Sequence, residues 1–294
     1  MKDFLLTIFT PTYNRAHTIS RTYESMRKQT CQDFVWLIVD DGSEDGTRSL
    51  VEQWISDNND FKIKYIYKEN GGMHTAHNVA YENIDTELNM CIDSDDCLAA
   101  NAVEKIYAKW NEIKAGNYAG IIGLDADMEG NIIGTDFPEN LQETTLMGYY
   151  AKGGKGDKKL VYRTAIIKKY PEYPVFEGEK YFGLNYKYRL IDQDYKMAVL
   201  NAVLCNVEYQ QDGSSATMWK QYLRNPKGFA TLRILYLKYT VSNKRAFIDA
   251  AHYVSSSLIA KDWKFLKKSP KKGITLCAIP VGVILTYVTR VKGK

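Results

Sequence analysis

Cysteine is sparse in this chain: five in 294 residues, Cys31, Cys91, Cys97, Cys205 and Cys277, scattered and odd in number. None forms a C-x-x-C pair, which excludes the usual zinc-ribbon and thiol-redox motifs and points to a reducing compartment. The opening stretch does not read as a secretory leader either. The opening MKDFLLTIFTPTYNR has a short apolar run broken at Pro11, without the longer apolar core and small-residue cleavage site of a signal, and reads as the first β-strand of a cytosolic protein. No internal repeat marks a solenoid or propeller. Nor is there a large excess of one charge, since 39 Lys/Arg face 35 Asp/Glu for a net of +4.

What is present describes a globular protein. Hydrophobic residues make up 45%, aromatics 13% and charged residues 25%, enough to bury a sizeable core and outside the disordered and low-complexity classes. The length suits one α/β domain of roughly 200 to 220 residues with an appendage, or two modest domains. The near-neutral total hides an asymmetry. Residues 1–217 hold 23 basic and 33 acidic residues, a net of −10, whereas 218–294 hold 16 and 2, a net of +14. An acidic body and a basic tail of that size imply different partners, with an anionic membrane or nucleic acid as candidates for the tail.

Short apolar runs at Phe4 to Thr10, Phe34 to Val39 and Asn89 to Ile92 end in polar clusters, as buried parallel strands do. Helical stretches lie between them: His17 to Gln29 after Asn14 as a plausible N-cap, Thr47 to Asn58 capped by Ser43 or Asp45, and Thr75 to Asn83 after a strand at Lys62 to Tyr67. The β-α-β-α-β-α-β order predicts a doubly wound, mainly parallel, Rossmann-like sheet with ligands at the carboxyl ends of its strands. Those ends are Pro11-Thr12-Tyr13-Asn14-Arg15, Asp40-Asp41-Gly42-Ser43, Lys68-Glu69-Asn70-Gly71-Gly72 and Asp93-Ser94-Asp95-Asp96, which should face one crevice. From about Gly116 to Gln211 the pattern loosens, with strand-like pieces at Gly120 to Leu124 and Val203 to Tyr209 and acceptor-side structure expected.

Acidic residues as dense as Asp93-Ser94-Asp95-Asp96 repel one another unless a cation neutralises them, and oxygen ligands select Mg²⁺ or Mn²⁺. A D-x-D tripeptide alone is equally a solvated turn capping a helix from about Leu98. Its coincidence with Asp40-Asp41 at another strand end favours a metal-assisted site holding a diphosphate. Asp40 can accept a hydrogen bond from a base, and the Pro11-Thr12-Tyr13 turn carries a ring that can stack on it.

The set FTPTYNR, IVDDGSEDGT, KENGGMHTAHNVA and CIDSDD, over residues 5 to 100, resembles the nucleotide-sugar-binding half of family 2 glycosyltransferases with the GT-A fold. The resemblance implies an inverting transferase that uses a nucleotide diphosphate sugar, commonly a UDP-sugar, with Mg²⁺ or Mn²⁺. By motif, Thr12 and Tyr13 would contact the base, Asp40 the uracil ring, Asp93 the ribose and metal neighbourhood, and Asp95 the metal itself, with Ser94 a further residue of the nucleotide-sugar site. Pro11 and Arg15 belong to the first motif, and Asn70, Gly71, His74 and Asn78 match the segment near the diphosphate. Met73 stands where many relatives have lysine.

An inverting enzyme needs a base for the acceptor hydroxyl. The family places a carboxylate ahead of a helix ending in an Arg-Leu pair; here Arg189-Leu190 is present, Leu184 occupies the expected region, and Glu177 and Glu179 are the nearest acids. Gly178-Glu179-Lys180-Tyr181 resembles a motif of a bacterial subset of the family, which favours Glu179, against a surface glutamate paired with Lys180. Asp192 and Asp194 read as solvent-facing. Tyr209 to Ser215 resembles the strand end and turn that closes over the diphosphate in the family.

After Asp212 the pattern turns helical, with apolar faces of Phe229, Leu232, Tyr236 and Tyr239, then Phe247, Ala250, Ala251, Val254 and Leu258. This tail resembles the C-terminal helices of capsule and lipopolysaccharide-type family 2 enzymes. Lys264, Lys267, Lys268, Lys271 and Lys272 precede the uncharged segment Ile274 to Val288, which at about 22 Å falls short of a bilayer core of about 30 Å. Lysines followed by apolar residues favour lipid over nucleic acid, as a polybasic anchor with interfacial insertion; the alternative is a hairpin packed back on the body. The expected organisation is a catalytic domain at 1–217, divided into 1–100 and 101–217, and a membrane-associating extension at 218–294, peripheral on the inner face of the cytoplasmic membrane. The expected activity is transfer of a sugar to a glycan or lipid-linked acceptor in surface polysaccharide synthesis. Alternatives are transfer to a polyprenyl phosphate, or a non-catalytic nucleotide- or glycan-binding assembly subunit.

Overall fold

The computed structural model describes residues 4–57, 59–208 and 217–293. Its elements run β1 (Leu6–Thr12), α1 (Ile19–Arg27), β2 (Phe34–Asp40), α2 (Thr47–Ser56), β3 (Lys62–Tyr67), α3 (Met73–Asn83), β4 (Leu88–Cys91), β5 (Cys97–Leu98), α4 (Ala102–Ile113) and β6 (Tyr118–Ala126). Then follow β7 (Glu143–Thr144), α5 (Leu146–Ala151), β8 (Lys158–Arg163), α6 (Thr164–Ile167), α7 (Asn185–Asp194) and β9 (Lys196–Asn206). Helices close the chain: α8 (Met218–Arg224), α9 (Pro226–Tyr239), α10 (Asn243–Ile259), α11 (Phe265–Lys268) and α12 (Lys272–Lys292). The fold divides into two units, whose described residues are 4–172 with 187–208, and 173–186 with 217–293. Residues 173–186, expected within the catalytic part, thus group with the closing helices.

In the first unit the strands join one sheet in the order β3-β2-β1-β4-β8-β6-β9-β5, with β7 beside β9. β1 and β2 are buried at every position, which is why both read as continuous apolar runs. β3 lies at the edge, and its lysines Lys62 and Lys64 suit a strand with one side open. The predicted alternation holds through β4, where β1 pairs in parallel with β2 and β4, and β2 with β3. Beyond it the sheet is mixed rather than mainly parallel, because β8 enters antiparallel to both β4 and β6. β6 pairs in parallel with β9, and β5 and β7 pair antiparallel with it. The core beneath β1, β2 and β4 is aromatic: Tyr23 stacks on Trp54 with centroids 4.3 Å apart, beside Trp36.

Three local expectations are corrected. Asn14 does not cap α1, whose N-cap is Thr18. It adopts φ 53°, and its side-chain oxygen accepts the Glu44 N–H at 2.9 Å. The helix expected from Leu98 begins at Ala102, since Cys97 and Leu98 pair with β9 as a short strand. Asp192 is not solvent-facing, because its carboxylate accepts the Leu146 and Met147 N–H groups at the start of α5, at 3.2 and 2.7 Å.

In the second unit α9, α10 and α12 pack around Leu237, Ala246, Ala250, Tyr253, Val254 and Ala278. Asp249 of α10 is buried and held by Arg233 Nη1 at 2.6 Å and Arg245 Nε at 3.3 Å. Tyr209 to Ser215 lies outside the described residues.

Candidate active site

Parallel register assembles the first half of the site. Thr12 stands opposite Asp40, and Asp40 opposite Tyr67, so β1, β2 and β3 end at one level. Asp40 is fully buried; Oδ1 accepts the Ser43 N–H at 2.8 Å and Oδ2 the Tyr65 hydroxyl at 2.7 Å. Burial first and Asp40 second push the Tyr65 hydroxyl up from its ordinary value, so it remains a donor. Thr12 is buried beside this carboxylate, and its Oγ1 has no hydrogen-bond partner among the described residues. Tyr13, the next residue, is 47% exposed.

Asp41 takes a different role from the one expected. It accepts the Gly71 and Gly72 N–H groups at 2.9 and 2.7 Å and pairs with the Lys68 ammonium, so it shapes the loop after β3 rather than facing a ligand. Gly42 permits this closeness: at φ 88° a Cβ there would lie 2.8 Å from the Asn70 nitrogen. Asn70 Nδ2 in turn donates to the Asp41 carbonyl at 2.9 Å. Asp45 holds the start of α2 through the Thr47 N–H at 3.0 Å and also accepts the Ala16 N–H, whereas Ser43 Oγ accepts the Asn14 N–H at 2.8 Å instead of capping α2. The first loop, including Arg15, whose N–H donates to Thr47 Oγ1 at 3.1 Å, is therefore tied to the second. His74, buried in the first turn of α3, is lowered to about 4 chiefly by burial, and is neutral at pH 7. Asn78 follows one turn later on the same helix.

The acidic turn after β4 divides its carboxylates. Asp93 is exposed, Asp95 half-buried, and Ser94 and Asp96 buried. Burial, then Asp93, raises the Asp95 carboxyl, with Arg15 and Arg21 opposing. Asp96 turns inward, where Lys159 of β8 lies 3.9 Å from it and 3.8 Å from buried Asp125. Burial would lower the Lys159 ammonium, but Asp125 and the other acidic neighbours hold it well above its usual value. Among the described residues no three His, Cys, Asp or Glu side chains form a ready-made metal cage. Asp93 and Asp95 offer two carboxylates, a donor set suited to Mg²⁺ or Mn²⁺ shared with phosphate oxygens.

Glu179 lies in the second unit, 8% exposed, and is not a surface residue paired with Lys180. Its Oε1 accepts the Lys227 N–H at 2.9 Å and its Oε2 the Gly228 N–H at 2.8 Å, in the first turn of α9. Sequence reasoning missed this anchoring, and also Tyr65, Lys159 and Asp125. For Tyr65 the signal was the alternation of KIKYIY; for Lys159, in a run of lysines that reads as loop, there was none.

A family model described as Glycosyl transferase family 2 matches residues 7–170, more than half of the chain. The chain is 38% identical over 107 residues to a teichoic acid poly(glycerol phosphate) polymerase of Staphylococcus epidermidis, covering 36% of this chain and 15% of that protein. It is 36% identical over 105 residues to a UDP-Glc:alpha-D-GlcNAc-diphosphoundecaprenol beta-1,3-glucosyltransferase of Escherichia coli, covering 35% and 40%. The matched stretch is thus less than half the length of either relative. Residues 1–349 of TarS from S. aureus, solved with UDP-GlcNAc, superpose with a TM-score of 0.60 at 18% identity, covering 98% of this chain and 88% of that one. This likeness shows the α/β GT-A fold expected from the sequence, and with the family match it establishes that the chain belongs to glycosyl transferase family 2.

Proposed function

We propose that the chain transfers a sugar, with inversion, from a UDP-sugar to a hydroxyl of a glycan or lipid-linked acceptor during assembly of a cell-surface polysaccharide. The observation that carries this is the buried Thr12 hydroxyl beside Asp40, without a hydrogen-bond partner among the described residues, with exposed Tyr13 adjoining it. A buried polar atom without a partner is costly, and a base bound at the ends of β1 and β2 would supply one. In this reading Tyr13 stacks on the base, Asp40 accepts its N–H, and Asn70, Gly71, neutral His74 and Asn78 line the diphosphate, with Pro11 and Arg15 framing the first loop. Ser94 and Asp93 adjoin the ribose, and Asp95 is the ligand for Mg²⁺ or Mn²⁺. When bound, that cation would neutralise the diphosphate and stabilise its departure. The placement of exposed Asp93 and half-buried Asp95 on one turn at the end of β4 supports the assignment, since two adjacent carboxylates are suited to a hard cation. The polymer and lipid-linked substrates of the two relatives support the acceptor class.

Glu179 is the base in this reading, at the cost of leaving the α9 amides it now accepts. That occupation favours a second reading, transfer to a polyprenyl phosphate, because an acceptor that is already an anion needs no base. The proposal extends to location: residues 218–294 hold the enzyme to the anionic inner leaflet, where each nearby lysine contributes on the order of 1 kcal/mol. The test is UDP-sugar hydrolysis and transfer with Mn²⁺ by wild type and Asp95→Asn. Loss of about a hundredfold or more in a folded variant is expected. Equal rates would overturn the metal assignment, and UDP binding without turnover in the wild type would favour a non-catalytic subunit.

A further inference from the structure

We propose that α12 lies in the plane of an anionic lipid leaflet, its outward side immersed among the acyl chains; this deepens the membrane reading given above. In water an amphipathic helix turns its apolar stripe inward. α12 does the reverse. Its inward residues are Thr275, Ala278, Gly282, Thr286 and Thr289, all buried, whereas Leu276, Val283, Ile284, Tyr287 and Val291 face out at helical spacing, Ile284 at 64% and Tyr287 at 71% exposure. The inward seam is complete. Thr286 Oγ1 donates to the Gly282 carbonyl at 2.8 Å and lies 3.2 Å from Ser255 Oγ, Ser269 and Thr275 share a 2.6 Å hydrogen bond, and Gly282 sits where a Cβ would meet Val254. The outward face is therefore what the finished helix pair presents, and small residues inside with aliphatic residues outside is the pattern of helices bathed in hydrocarbon.

Charge identifies the occupant. Residues 273–289 carry no charge, while Lys264, Lys267 and Lys272 precede the stripe, with Lys268 paired to Asp262 at 2.6 Å, and Arg290 and Lys292 close it. Trp263, 75% exposed, adds an aromatic of the kind that settles at headgroup level. A second copy on the same face would bring these cations against one another, whereas an anionic leaflet satisfies them. Orientation follows from the partner helix. With 21 residues α12 measures about 31 Å, enough to span, but it is packed along α10, which carries Asp249 with Arg233 and Arg245. Spanning would draw that ion cluster into the hydrocarbon, and lying flat does not.

The test uses the full chain and vesicles of phosphatidylcholine with or without phosphatidylglycerol. Wild type should float with the anionic vesicles and be released by salt, and Ile284→Glu with Tyr287→Glu should bind at least tenfold more weakly with an unchanged melting temperature. Tryptophan placed at Leu276, Ile284 or Val291 should be quenched equally by shallow brominated lipid. Deep quenching at Ile284 alone would replace the flat orientation with a spanning one, and no flotation, with a dimer broken by the glutamates, would overturn the proposal in favour of a second copy. UDP-sugar hydrolysis of the same proteins without vesicles separates the readings: its absence in wild type sinks the transferase proposal and leaves the lipid result standing.

Discussion

Thr12 and Asp40 are register partners in the parallel pairing of β1 with β2, and of the two only Asp40 has its side-chain oxygens engaged by protein donors. Thr12→Val removes a hydroxyl that has no hydrogen-bond partner among the described residues. The melting temperature should hold or rise slightly, while UDP affinity measured by calorimetry falls by about 1 kcal/mol, roughly fivefold in Kd. Unchanged affinity would remove Thr12 from the nucleotide site.

Lys159 tests the buried side of the acidic turn. Lys159→Met leaves Asp96 and Asp125 without their shared cation, and removal of one partner from a buried pair costs about 3–5 kcal/mol. Adding Asp125→Asn should restore part of that loss, because one uncompensated charge is withdrawn. Urea unfolding of the two singles and the double measures the coupling, and strict additivity would show that Lys159 and Asp125 do not interact.

The nucleotide half was legible because its strands bury both faces and end in polar clusters, so β1, β2 and β4 stood out as short apolar runs and β3 as a paired strand. Asp40 and Asp95 stand at strand ends, but their roles rest on the motif resemblance. The internal division of labour was not legible: Asp41, Ser43 and Asp45 are as polar as Asp40, and only the folded loops show that they bind backbone amides of neighbouring turns. β8 escaped notice because Lys158 and Lys159 break its apolar pattern: Lys159 is balanced by Asp125 and Asp96 from distant parts of the chain, and Lys158 Nζ donates to the Ile133 and Lys155 carbonyls. The grouping of residues 173–186 with the helices depends on long-range contacts that spacing does not encode.

Glu179 separates anchoring from catalysis through two variants. Glu179→Ala abandons two backbone donors at the start of α9 and should destabilise by about 2 kcal/mol, read from thermal unfolding. Glu179→Gln keeps one acceptor oxygen and should cost less. If Glu179 is also the base, the Gln variant loses transfer to a hydroxyl acceptor far beyond its stability change; unaltered transfer would assign the residue to α9 alone and leave the polyprenyl phosphate reading ahead.

The seam between α10 and α12 makes a prediction that depends on no ligand. A Cβ at Gly282 would lie 2.5 Å from Val254 Cβ and 3.0 Å from the Ala251 carbonyl, whereas a Cβ at Gly273, in the same helix, meets nothing within 4 Å. Gly273→Ala should be neutral or stabilising by up to about 1 kcal/mol, as expected when alanine replaces glycine in an open helical position. Gly282→Leu must push the helices apart and should cost about 1–3 kcal/mol or more, the range for overpacking a filled interface. Thr286 would lose its approach to Ser255 as the helices separate, so Gly282→Leu with Thr286→Val should cost less than the two changes summed. Equal stability of the Gly273 and Gly282 variants would mean that α12 does not rest on α10 along its length, and with that the reason for its inward threonines would be gone.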